Sequence, residues 1–148
     1  MENLIQSVQT SNRMGHAVDA LLQNREALLL RYCGLLSLGL DERGLLGRNL
    51  AEFNQMLTDY LALGHFEVIE PSVATAGYSD DFRAELPNQL AAIQLTTERI
   101  LRFTDRFGGT ESARHNLVDL AAEIDELGQI MANRFALEDG FLSELNQI

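Results

Sequence analysis

Three charged residues stand where a helical apolar stripe calls for aliphatic side chains. Arg25 lies seven residues after Val18 and seven before Tyr32. Later, positions 117, 120, 124, 127, 131, 134, 138, 141 and 145 read Leu, Leu, Ile, Leu, Met, Arg, Glu, Phe and Leu. Arg134 and Glu138 thus take two inward places, and four residues apart on a helix they are neighbours on one face. A buried charge without a partner is costly, so these groups need company. By pattern the nearest candidates are Asp59 and His65 in the middle of the chain and Asp19 close to Arg25. Such a cluster has two readings. One is a structural ion-pair network that fixes helix register; the other is a polar cleft that receives a ligand or a partner's side chain. His65, directly after Gly64, reads either as a cap or satisfied polar contact or as a binding residue. Cys33 sits among apolar neighbours and reads as a buried small side chain rather than a nucleophile.

The other chemistries that such residue types support fail on spacing. A di-iron bundle needs Glu-x-x-His on two helices. Here Arg13, Ala62 and Ser112 stand three before His16, His65 and His115. No His-Glu-x-x-His, P-loop, Gly-x-Ser-x-Gly elbow or EF-hand run is present. Gly108-Gly109-Thr110 could hold an anion at a helix start, but a plain helix stop explains it as well. The single cysteine excludes an intrachain disulfide and a cysteine-based metal cluster. No catalytic residue, cofactor or metal is expected, and the residues point to a binding protein rather than an enzyme.

Composition sets the frame for those residues. The chain has 148 residues, 46% of them hydrophobic, which suits one domain with a sizeable core. All 11 basic residues are arginines against 22 acids, giving a net charge of −11. The excess is uneven. Residues 1–40 hold three acids and three arginines, residues 41–110 eleven and six, and residues 111–148 eight and two. Such a surface repels phosphate, so direct nucleic-acid binding is not expected, whereas a basic partner is favoured. Uninterrupted apolar runs such as Ala27–Leu30 are far short of a membrane span. The opening MENLIQSVQT has neither a basic nor an apolar signal region, which predicts a cytoplasmic location.

The elements that position the charged cluster follow from an apolar period near 3.6, which predicts an all-α chain. A first helix is expected over about Ser11–Leu38, with Val18, Leu21, Leu22, Arg25, Leu28, Leu29, Tyr32, Leu35 and Leu36 inward and Gly39 ending it. A polar loop is expected over Asp41–Arg48. Asn49 then caps a second helix that runs from Leu50 to about Leu63, with Phe53, Leu57, Tyr60 and Leu61 inward. Gly64 interrupts it, and a short helix over His65–Glu70 follows, with Phe66, Ile69 and Val73 on one side. After a loop at Thr75–Asp81, a helix over Phe82–Phe107 turns Leu86, Leu90, Ile93, Thr97, Ile100, Thr104 and Phe107 inward. Thr110 caps a last helix over Glu111–Asn146. Four long helices with short connections predict an antiparallel four-helix bundle with one additional short helix.

Two segments carry a resemblance to a known family. The stretch from Leu50 to Phe66 contains Asp59-Tyr60-Leu61-Ala62-Leu63-Gly64-His65-Phe66, which resembles the D-Y-L-x-x-G-H-F signature of the Rsd/AlgQ family of bacterial anti-sigma factors. Arg134-Phe135-Ala136-Leu137-Glu138-Asp139 resembles that family's R-F-x-L-E-D motif. A weaker match is Val18-Asp19 with Leu22, Arg25 and Leu28-Leu29. The chain departs from the family pattern in having no Trp, which members carry near the position of Leu21.

The resemblance implies a helical bundle that binds the promoter-reading C-terminal domain of the primary sigma factor. By doing so it lowers that factor's use by RNA polymerase and favours alternative sigma factors in stationary phase. It also implies links of some members to the HPr phosphocarrier and to a stringent-response enzyme, and no reaction of the family's own. Carried onto this chain, it places Asp59, His65, Phe66, Glu138, Asp139 and Asp19 at the partner face, with Arg25 and Arg134 holding the carboxylates. The competing expectation is a bundle that takes a metal or small molecule at Arg25, His65, Arg134 and Glu138.

Overall fold

The computed structural model describes residues 2–37, 43–73, 77–108 and 117–146. Every regular element among them is helical. Helix α1 spans Glu2–Ser37 and α2 spans Arg43–Leu63. The latter runs without a break into a π-helical turn at Gly64–Ile69 and a short α3 at Glu70–Val73. Helix α4 spans Asp80–Arg106 and α5 spans Leu117–Asn146. The expected helix stops and caps at Gly39, Gly109 and Thr110, the start of the last helix at Glu111 and the inward side chains of Leu117 and Leu145 lie outside the described residues.

Side-chain pairs fix the helix directions. Arg25 meets Tyr60 while Arg31 meets Glu52, so α1 and α2 are antiparallel. Arg99 meets Glu126 while Arg106 meets Asp119, so α4 and α5 are antiparallel too. Tyr32 reaches the Ile124 carbonyl and Arg25 reaches Asp139, which sets α1 against α5 in the same sense. The four long helices form an antiparallel bundle, with α1 packed most closely on α2 and α4 on α5.

The main core is drawn from all four. Leu21, Leu28 and Leu35 of α1 repeat every seven residues and are buried, as are Phe53, Leu57 and Tyr60 of α2. Ile100 and Phe103 of α4 join them, with Leu120, Ile124, Leu127 and Met131 of α5. Each such side chain contributes roughly 1.5–3 kcal/mol by leaving water. A smaller cluster joins Ile69 of the π-helical turn to Ile93 of α4 and Phe141 of α5. Asn54 is buried and donates to the Phe107 carbonyl at 3.0 Å, which satisfies an orphan acceptor at the end of α4. Ser79 caps the start of that helix by accepting from the Phe82 amide, and Asp80 and Asp81 complement the helix dipole there.

Several expectations are corrected. The first helix begins at Glu2 rather than near Ser11. Residues 43–48 are helical instead of a polar loop, so Asn49 is inside α2 and caps nothing. Gly44 and Gly47 each weaken a helix by about 1 kcal/mol, but no proline stops it. Gly64 likewise does not interrupt the chain; it widens the helix into the π turn. The inward stripe drawn for α1 is too wide, because Leu22, Leu29 and Leu36 are 42%, 40% and 52% exposed. The 21/28/35 ridge is the fully buried part, with Arg25 and Tyr32 reaching in beside it. Phe66 and Val73 are exposed while Ile69 is buried, since the π turn rotates them off a common face. Cys33 is exposed rather than buried. None of the described helices is long and apolar enough to cross a membrane.

Candidate functional site

Arg25, Arg134 and Glu138, the residues that break the apolar pattern, meet in one network between α1, α2, α4 and α5. Glu138 is its centre. Its side chain is 2% exposed, as is that of Arg134, one turn away on the same helix. Arg134 Nε donates to Glu138 Oε2 at 3.3 Å. The Tyr60 hydroxyl donates to Glu138 Oε1 at 2.5 Å, and Arg25 Nη2 donates to the same oxygen at 3.3 Å. The carboxylate is therefore held from three helices.

The two arginines are occupied on their other sides. Arg25 Nε donates to the Tyr60 hydroxyl at 3.1 Å, and Nη1 donates to Asp139 Oδ1 at 2.7 Å. The guanidinium lies over the Phe135 ring, 4.7 Å from its centre, a cation–π contact. Arg134 Nη1 donates to the hydroxyls of Thr97 and Thr96 at 2.6 and 3.1 Å and to the Ile93 carbonyl at 3.5 Å. Two positive and two negative charges balance, and burial costs are met by hydrogen bonds on nearly every polar atom. Burial lowers the Arg25 pKa, but its bonds to Tyr60 and Asp139 outweigh that and raise it above the ordinary guanidinium value. Burial pushes the Tyr60 phenol well up, and the Glu138 charge beside it pushes further.

Local sequence explains why these side chains meet. The i, i+4 spacing of Arg134 and Glu138 points both inward on α5. Gly64 opens the π turn where α2 passes that point. A Cβ there would lie 3.2 Å from Glu138 Oε2 and 3.4 Å from Leu21 Cδ1, so the absence of a side chain leaves the carboxylate its place.

The expected partners of the arginines are elsewhere. Asp59 is exposed and accepts from Gln55 Nε2 at 3.0 Å. His65 is exposed, 3.8 Å from the Glu70 carboxylate and edge-on to the exposed Phe66. Asp19 is exposed on α1. None of the three enters the network, because each sits on the outer side of its helix. The metal- or ligand-binding reading at Arg25, His65, Arg134 and Glu138 thereby loses His65, and the remaining three are spent on one another. Among the described residues, no three His, Cys, Asp or Glu converge as metal ligands. Asp139 is the member that reaches water, its side chain 56% exposed.

The structure adds Tyr60, Thr96 and Thr97 to the network. For Tyr60, an inward position by pattern, the available signal is its hydroxyl, which must find a partner when buried. Thr97 is inward by pattern as well; adjacent threonines facing an inward arginine are the matching hint.

Comparison with known proteins bears on this arrangement. The model of the family described as "Regulator of RNA polymerase sigma(70) subunit, Rsd/AlgQ" matches residues 1–146. The chain belongs to the Rsd/AlgQ family. Named relatives agree. The Regulator of sigma D of Pectobacterium carotovorum subsp. carotovorum (strain PC1) is 28% identical over 146 residues, 96% of this chain and 94% of that protein. That of Yersinia enterocolitica serotype O:8 is 28% identical over 144 residues, covering 94% and 84%. The one from Enterobacter sp. (strain 638) is 28% identical over 148 residues, covering 97% and 86%. No solved structure matches the chain. The segments that carry the Rsd/AlgQ likeness meet in the network: Tyr60 and Gly64 from one, Arg134, Phe135, Glu138 and Asp139 from another, Arg25 from the third.

Proposed function

We propose that this chain binds the primary sigma factor through its promoter-reading C-terminal domain and so lowers that factor's use by RNA polymerase. It acts by binding and carries out no reaction, and the chain works as one domain. The observation that carries the reading is the convergence of the three family-like segments on Glu138. A network shared by every long helix fixes how α1, α2 and the end of α5 present their outer faces.

The partner face is then Asp59, His65 and Phe66 on α2 and the π turn, Asp139 on α5 and Asp19 on α1. The antiparallel register set by Arg31–Glu52, Arg25–Tyr60 and Leu21–Gly64 puts Asp19 and Phe66 at a similar height along the bundle. Exposed carboxylates suit a domain that is basic because it contacts DNA phosphates. Phe66, 62% exposed, supplies an aromatic anchor. Glu138 and Arg134 act from beneath, by holding the backbone and Arg25 in place.

Calorimetric titration with the isolated sigma C-terminal domain tests this. The expected result is a 1:1 complex that Asp59→Ala weakens by about 1–2 kcal/mol without lowering the melting temperature, and that Asp139→Ala weakens as well while lowering stability, because Arg25 loses a partner. Equal binding by wild type and both variants would remove these residues from the face.

A further inference from the structure

On the α4/α5 side of the bundle a different chemistry is assembled. Arg99, Arg102 and Arg106 follow one another at i, i+3 and i+7 on α4 and line a cavity of about 260 Å³ against α5. Phe103, Leu127 and Ile130, all buried, form its floor. Glu123 and Glu126 of α5 line it too, so the cavity sets three arginines against two carboxylates.

The three are not equivalent. Arg99 pairs with Glu126, and Arg106 pairs with Asp119 at 2.8 Å and Glu123 at 3.3 Å. These partners hold both flanking guanidiniums to α5. Arg102, between them, has no hydrogen bond or ion pair among the described residues. One planar fork of donors is thus left over above an apolar floor, between two restrained neighbours.

We propose that this cavity is a second binding site, for a small organic anion with a carboxylate or phosphate head and a flat apolar body. The head takes the Arg102 fork as a two-point hydrogen bond, the geometry in which guanidinium recognises such groups. The body rests on the wall backed by Phe103, Leu127 and Ile130, of which Ile130 presents the most surface. Because Arg99 and Arg106 are already neutralised by acids, a bare multivalent ion gains little here; the apolar contact is part of recognition.

The test is a titration of the full chain followed by the NMR signals of the arginine side chains, with four probes. Phenyl phosphate and benzoate carry the two head groups on one body, inorganic phosphate is head alone, and benzyl alcohol is body alone. The expected result is a saturable shift of the Arg102 Nε–H signal with phenyl phosphate or benzoate; which of the two binds more tightly identifies the head. Inorganic phosphate and benzyl alcohol should each bind at least about tenfold more weakly. Arg102→Gln should weaken the better probe about tenfold. Arg83→Gln should leave it unchanged, since Arg83 is exposed on the same helix roughly 28 Å away. No saturable shift with either aromatic anion would overturn the proposal. So would inorganic phosphate binding as well as they do, or the two variants behaving alike. Sigma binding is not involved in any arm, so this result and that of the partner face are independent.

Discussion

Arg134 and Glu138 are closed off from water to the same degree, and at that depth neither charge is tolerated alone. Glu138→Leu leaves Arg134 buried without its counter-charge and should cost about 3–5 kcal/mol in urea unfolding. Arg134→Met together with Glu138→Leu removes both charges, and Arg25 keeps Asp139. That double variant should be more stable than Glu138→Leu alone, with the Tyr60 hydroxyl left short of an acceptor at about 1–3 kcal/mol. Simple addition of two single losses would contradict the pairing. Tyr60 gives a second readout. Its raised pKa means the folded chain keeps the phenolic proton where the unfolded chain, with an ordinary value of about 10, releases it. The unfolded state then binds fewer protons, so stability is full below about pH 10 and falls as pH climbs through the window above it. Tyrosinate absorbance should rise late and together with unfolding, and Tyr60→Phe should reduce that loss. The inward places of Arg134, Glu138 and Arg25 are readable from periodicity alone. Their partners are not, because pairing across helices depends on rotation that spacing within one helix leaves open. Asp59 and His65 share α2 and its π extension with Tyr60 yet face the other way.

At the scale of elements, the π turn is the feature least accessible to sequence periodicity. A 3.6-residue pattern meeting Gly64 suggests a stop, whereas one widened turn lets the helix continue past Glu138 to Ile69. The helical run over 43–48 is hidden in the same way, since two glycines suggest a loop but neither is accompanied by proline. Glycine to alanine within a helix ordinarily stabilises by about 0.4–1 kcal/mol. Gly140 is exposed on α5, and a Cβ added there would have nothing within 4 Å, so it should follow that rule. Gly64→Ala should reverse it, with a loss of about 1–3 kcal/mol, because the new methyl presses on a carboxylate held from three helices. Thermal melts of the two variants check this. Stabilisation of both would mean that the turn has room to spare.

Taken whole, the molecule carries the two proposed sites on different elements. Asp59, His65, Phe66 and Asp139 are exposed on α2, the π turn and α5, and the arginine-lined cavity lies between α4 and α5. The all-helical bundle is readable from apolar spacing, and the acidity is readable from counts. Which leucines of α1 remain outside is not, since a heptad pattern does not state how wide a groove its neighbours leave. In the proposed complex, acidic, exposed groups on a bundle fixed by its buried network engage a basic sigma domain. Affinity for the isolated sigma C-terminal domain, measured across salt from roughly 50 to 300 mM, tests it most directly, because exposed charge attraction is screened over that range. Binding should be 1:1 and weaken steadily, by about tenfold or more, as salt rises. No binding at the lowest salt, or an affinity indifferent to salt, would contradict it.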